Sequence, residues 1–253
     1  MHIEQRGSGP HLVMLHGWSM HSAVWHQLAE RLAERFTLHL IDLPGHGQSD
    51  WQSGAFQFDK LLPELAAQTP QQAIWIGWSL GGLIALGYVQ RYPHRVDKLS
   101  LIASTPRFVQ EDDWPCAMPA STFEAFADNL AVDQQQTLQR FLLLQAKGAE
   151  QSRETIRELS QQLASQHMPE PEALIAGLDC LLNADMRDAL SNLSCPLQLI
   201  LGNRDTLIPV SLIEHVQLLN PAIQVAVLDG AGHAPFIAQP TRCDALLEQF
   251  ING

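Results

Sequence analysis

The sequence has little positive charge, few cysteines and no long apolar run. Lys and Arg number 15 against 27 Asp and Glu, giving a formal net charge of −12. So acidic a chain repels phosphate backbones and anionic bilayer surfaces, which argues against a nucleic acid or a membrane as partner. Four cysteines, Cys116, Cys180, Cys195 and Cys243, form no Cys-x-x-Cys pair and have no histidines at zinc spacing. They read as fully or partly buried thiols. The longest apolar runs, such as Leu197 to Leu201, are far too short to span a bilayer. No apolar core of signal-peptide length follows Met1-His2-Ile3-Glu4-Gln5-Arg6-Gly7. A soluble, cytoplasmic monomer is expected. His-Glu-x-x-His, Gly-x-Gly-x-x-Gly and phosphate-loop motifs are all missing, so the chemistry is expected to need no metal and no cofactor.

What is present is a pattern of alternating elements. At 253 residues, 46% of them hydrophobic and 17% charged, the chain has the size and balance of one globular α/β unit. Short apolar runs predict strands at His11 to Leu15, Leu38 to Ile41, Ala73 to Ile76 and Val96 to Ala103. Helical spacing appears between them: Val24, Leu28, Leu32 and Phe36; then Lys60 to Ala67; then Leu80 to Arg91. This alternation predicts a mostly parallel sheet with helices on both faces. From Arg107 to Asp188 helical periods dominate, punctuated by Pro115, Pro119, Pro169 and Pro171. The α/β pattern then resumes with strands Leu197 to Leu201 and Val225 to Leu228 and helices Val210 to Leu219 and Arg242 to Ile251. The expected organisation is a core of residues 1–106 and 189–253 with a helical cap inserted at 107–188.

The strongest chemical signal is Gly77-Trp78-Ser79-Leu80-Gly81, a Gly-x-Ser-x-Gly sequence with an apolar strand before it and a helix after it. A sharp turn in that setting lifts the Ser79 hydroxyl to the carboxyl edge of the sheet. A serine hydroxyl is a poor nucleophile until a base removes its proton. Among 11 histidines, His233 follows the last expected strand in a small-residue loop, Asp229-Gly230-Ala231-Gly232-His233, and can reach that edge. Asp205, in the loop after strand Leu197 to Leu201, is the expected partner of the imidazole. Asp229 is its rival, and the order serine, acid, histidine favours Asp205. Two backbone N–H groups are needed for a developing oxyanion. Leu80, just after the nucleophile, and Trp18, in the His16-Gly17-Trp18 loop after the first core strand, are the candidates. His16, Asp42 and His46 read as structural.

Four segments carry a resemblance: His16-Gly17-Trp18, Asp42-Leu43-Pro44-Gly45-His46-Gly47-Gln48-Ser49, Trp75 to Leu83, and Gly232-His233-Ala234-Pro235-Phe236. Together with Asp113-Trp114-Pro115 and Arg140 to Gln145 in the cap, the chain resembles the pimeloyl-[acyl-carrier protein] methyl ester esterases of biotin synthesis, in the α/β-hydrolase superfamily. The resemblance implies an α/β-hydrolase fold and cleavage of a methyl ester on a carrier-bound acyl chain, with side activity on short esters. It also implies that Trp18, Leu80, Phe141, Leu142, Leu143, Leu144 and Gln145 border the acyl pocket. An acidic acyl carrier protein docks on an acidic enzyme only through local positive charge. Arg140, Arg153 and Arg157 are the candidates, and Gln136 departs from the family where a further cation is expected. The alternative is that Glu150 and Glu154 pair with Arg153 and Arg157 and merely stabilise a helix surface. The triad also suits carbon–carbon bond hydrolases and lactonases of this fold, or a ligand receptor that turns over little.

Overall fold

The structure, a computed structural model, describes residues 1–253. Seven strands form one sheet: β1 (Ile3–Arg6), β2 (His11–Leu15), β3 (Thr37–Ile41), β4 (Ala73–Trp78), β5 (Val96–Ile102), β6 (Leu197–Gly202) and β7 (Gln224–Leu228), in the spatial order β1-β3-β2-β4-β5-β6-β7. β1 pairs antiparallel with β3 and every other pairing is parallel. Strands β3, β4 and β6 are buried along their whole length, as expected for continuous apolar runs covered on both faces. The edge strands differ. β1 is half-buried with a single apolar residue, and Val227 of β7 is exposed. β1 was not evident from the sequence, because an edge strand with one wet face lacks the apolar run that marks the central ones.

Helices pack on both faces: α1 (His26–Leu32), α2 (Phe58–Gln68) and α3 (Leu80–Arg91). Trp75 of β4 stacks on Tyr88 of α3 with ring centroids 4.0 Å apart. Between β5 and β6 the chain adds no strand to the sheet. It forms α4 (Ala120–Val132), α5 (Gln134–Gln145), α6 (Ser152–Ala164), α7 (Pro171–Asn183) and α8 (Arg187–Ser191). Asp133 caps α5 by accepting from the Gln136 N–H at 2.9 Å. Pro171 opens α7, where a missing N–H is harmless. The chain enters and leaves this helical layer at one place: Arg107 bridges Asp185, Met186 N–H donates to Pro106 O at 2.8 Å, and the Arg107 guanidinium donates to the carbonyls of Leu182 and Ala184. The chain closes with α9 (Leu212–Leu219), α10 (Pro235–Ala238) and α11 (Pro240–Asn252). No helix is long and apolar enough to cross a membrane.

The strand order decides where a site can form. From β2 the chain moves outward to β3, then returns past β2 to β4 and continues the other way. The carboxyl ends of β2 and β4 therefore flank the switch point of the sheet, where adjoining loops diverge and leave a crevice.

Candidate active site

At that switch point β4 turns sharply into α3. Ser79 occupies the turn with φ 53° and ψ −116°, a backbone conformation that non-glycine residues rarely adopt. The surroundings over-determine it. Ser79 N–H donates to Ile102 O at 3.0 Å, its carbonyl accepts from Gly82 and Leu83, and Ser104 Oγ donates to the same carbonyl at 2.7 Å. The glycines are required by space. A Cβ on Gly77 would lie 2.5 Å from Gly82 Cα, one on Gly82 would lie 2.5 Å from Ser104 Oγ, and one on Gly81 would collide with the carbonyls of Leu15 and His16. Ser79 keeps a small exposure of 5%.

His233 is held from three sides. Its Nδ1 lies 2.8 Å from Asp205 Oδ2, its N–H donates to Gln145 O at 2.9 Å, and its carbonyl accepts from Trp78 Nε1 at 2.7 Å. Asp205 is fixed in turn, with Oδ1 accepting from the N–H groups of Leu207 and Ile208. Because a carboxylate accepts, Nδ1 carries the proton and Nε2 presents a lone pair. Nε2 has no partner in the chain. Asp229 is engaged elsewhere: it accepts from Asn203 Nδ2, and its carbonyl accepts from Gln239.

The loop after β2 packs against the elbow, with Gly17 lying under the Trp78 ring. The backbone N–H groups of Trp18 and Leu80 donate to no acceptor in the chain, as an oxyanion site requires. His16 supports this loop, and the His46 ring lies 5.3 Å from the His16 ring. His16 Nδ1 donates to Gly17 O at 2.8 Å and its Nε2 accepts from Leu43 N–H at 3.0 Å. Asp42 accepts from Ser22 and Gln48 N–H. Burial pushes both His16 and His46 down from 6.5 to about 3, so both are neutral struts.

The α5 segment divides as the helical period requires. Phe141, Leu142 and Gln145 are buried, and the Phe141 ring meets Trp18 edge-on at 4.7 Å. Leu143 is 56% exposed, and with the half-buried Leu144 it lines an outer cleft of about 390 Å³ beside Arg140, Lys147 and Ile156. These two leucines therefore turn away from the Trp18 side, a correction to the pocket expected from the contiguous motif. Arg140, Arg153 and Arg157 are exposed, and none of them makes an ion pair with Glu150, Glu154 or any other acid. Two contributors escaped the sequence reading. Trp78 braces His233, and Gly177 of α7 lets that helix lie directly on Trp18 and Leu80. A lone glycine inside an apolar helix was the available signal for the second. Nowhere do three or more His, Cys, Asp or Glu side chains converge as metal ligands.

The buried histidines predict a pH dependence of stability. The unfolded chain binds a proton at each near pH 6.5, whereas the folded chain does so only near pH 3. Their contribution is thus complete above about pH 6.5 and is lost as the pH falls toward 3. Between pH 7.5 and 5, urea unfolding should show a loss of up to about 2 kcal/mol per histidine. A His46→Asn variant should show a smaller loss over the same interval, and an unchanged slope would contradict the assignment.

A family model described as the alpha/beta hydrolase fold matches residues 10–240. The pimeloyl-[acyl-carrier protein] methyl ester esterase of Xanthomonas oryzae pv. oryzae (strain MAFF 311018) is 42% identical over 251 residues, covering 99% of this chain and 98% of the relative. The esterase of the same name from Vibrio vulnificus (strain CMCP6) is 38% identical over 248 residues, covering 98% and 96%. Among solved structures, an esterase from Exiguobacterium antarcticum superposes with a TM-score of 0.89 at 22% identity, covering 99% of this chain and 95% of its own. A bromoperoxidase from Bacillus anthracis gives 0.89 at 19% identity with the same coverage. At those identities the two structures speak for the fold alone. The full-length match to the curated relatives is narrower: this chain belongs to the α/β-hydrolase family and, within it, to the pimeloyl-[acyl-carrier protein] methyl ester esterases.

Proposed function

We propose that the chain is a serine carboxylesterase that removes the methyl group from a pimeloyl methyl ester carried on acyl carrier protein, leaving the free acid for biotin synthesis. The observation that carries the reaction is the buried Asp205–His233 pair, 2.8 Å apart and braced by the residue before the strained Ser79. The substrate follows from the named relatives.

In this reading Ser79 Oγ attacks the ester carbonyl and His233 Nε2 takes its proton. Asp205 holds the tautomer and stabilises the imidazolium. The N–H groups of Trp18 and Leu80 bind the oxyanion, and losing one such donor costs about a hundredfold or more in rate. The intermediate collapses, His233 returns the proton, and methanol leaves. Water activated by His233 then cleaves the acyl–Ser79 bond and releases the acid. Phe141 meets both Trp18 and Phe126 edge to face, with Trp18 and Phe126 tilted against each other, and the three rings supply an apolar wall for the acyl chain. A terminal carboxylate there is costly to desolvate, which favours substrate over product.

Residues 107–188 serve as the cap over a core of 1–106 and 189–253. The unpaired Arg140, Arg153 and Arg157 give the cap a cationic face on a chain of net charge −12, suited to an acidic carrier. Lys147 and the exposed Leu143 line one cleft with Arg140.

Hydrolysis of pimeloyl-carrier methyl ester and of free dimethyl pimelate tests both parts. Ser79→Ala should lower kcat on both substrates by at least about ten-thousandfold. Arg153→Glu/Arg157→Glu should raise KM about tenfold for the carrier substrate alone. A double variant unimpaired on the carrier substrate would remove the docking face. A wild type that cleaves p-nitrophenyl esters but ignores the carrier substrate would leave a general esterase.

A further inference from the structure

The loop from Gly17 to Ser22 carries Trp18 and is strained. Ser19 sits at φ 67°, a left-handed conformation unusual for a residue with a side chain. Such a conformation persists only where its surroundings hold it. From the core, Ser22 N–H is held by Asp42 Oδ1 at 2.7 Å and Gly17 O by His16 Nδ1 at 2.8 Å. Two further holds come from the helical insertion. Trp18 Nε1 donates to Leu174 O of α7 at 2.8 Å, and His21 Nε2 lies 2.7 Å from Gln162 O of α6.

The chemistry of the second contact is fixed by its neighbours. His21 Nδ1 accepts from the Ala23 N–H at 3.3 Å, so on a neutral ring the proton sits on Nε2, which donates to the Gln162 carbonyl. Burial lowers the His21 pKa and favours that neutral form. The Gln162 carbonyl lies in the last turn of α6, where carbonyls lack helical partners, and it also accepts from Ser165 N–H and Oγ. No residue of the core sheet makes this connection; it joins the loop to the insertion. The exposed Arg153 and Arg157 lie nearer the other end of the same helix.

We propose that His21 is a positioning residue. Its imidazole seats α6 on the strained loop and so fixes where the Trp18 amide points. The seating of the cap thereby sets the rate of chemistry on any ester, carried or free. The proposal rests on the reading of Trp18 as an oxyanion donor. Its effect belongs on kcat, because a slightly misplaced donor weakens the transition state more than the ground state.

Steady-state hydrolysis of free dimethyl pimelate by His21→Gln, His21→Asn and His21→Ala tests it, with melting temperatures measured alongside. A glutamine amide nitrogen reaches about as far as Nε2 and can still donate to Gln162 O. An asparagine keeps the acceptor for Ala23 N–H, and so the cap of the single helical turn Ser22–Trp25, but falls short of α6. His21→Ala and His21→Asn should lose about tenfold in kcat with KM within about twofold, while His21→Gln stays within about threefold of wild type. The reverse ranking, asparagine active and glutamine slow, would make His21 a turn cap only and overturn the proposal. Equal losses in all three with lowered melting temperatures would reduce it to packing, and three wild-type-like variants would also overturn it. Ser79→Ala, run in parallel, reports separately on the reading of the site: a loss of less than about a hundredfold there would discard the triad, whatever the His21 ranking.

Discussion

Everything in this site depends on one tight turn. The chain forces Ser79 into a positive φ and holds it there by bringing α3 so close to the end of β2 that Gly81 has no room for a side chain. That approach does two things at once. It raises the serine hydroxyl at the edge of the sheet, and it sets the first amide of α3 beside the loop that carries Trp18. The energy stored in the turn is offset by hydrogen bonds to Ile102 of the sheet, to Gly82 and Leu83 of the helix and to Ser104 just past β5, which are expensive to disturb.

Around this fixed point the remaining groups are arranged in layers of constraint. His233 is clamped at Nδ1 by Asp205, at its carbonyl by Trp78 and at its N–H by Gln145. Two of these three clamps come from the core and one from the end of α5, so the insertion also helps to hold the histidine. His16, neutral and buried, ties the β2 loop to the core, and α6 and α7 tie it to the insertion. The Trp18 loop is thus held on one side by the core and on the other by the inserted helices.

Much of this was legible in the sequence because it is local. Gly77 to Gly81 signals its own turn, and the order of Ser79, Asp205 and His233 places three loops on one sheet edge once the α/β alternation is read. Other features depend on partners that sequence does not display. His21 bonds a backbone carbonyl 141 residues away, and any residue type at position 162 would offer that carbonyl. Gln145 holds His233 through its main chain, so its side-chain identity gave no clue to that role. Leu143 and Leu144 were read with Phe141 and Leu142 as one contiguous motif, whereas a helix sends neighbours to different faces. β1 hid because an edge strand needs little apolar content.

Labelling with a methyl alkylphosphonofluoridate, followed by peptide mass mapping, tests most directly whether Ser79 is the nucleophile and His233 its base. One phosphonyl group per chain should appear on the peptide containing Ser79, and His233→Ala should slow that labelling by at least about a hundredfold. A label on any other residue, or labelling of Ser79 at an undiminished rate without the imidazole, would contradict the account.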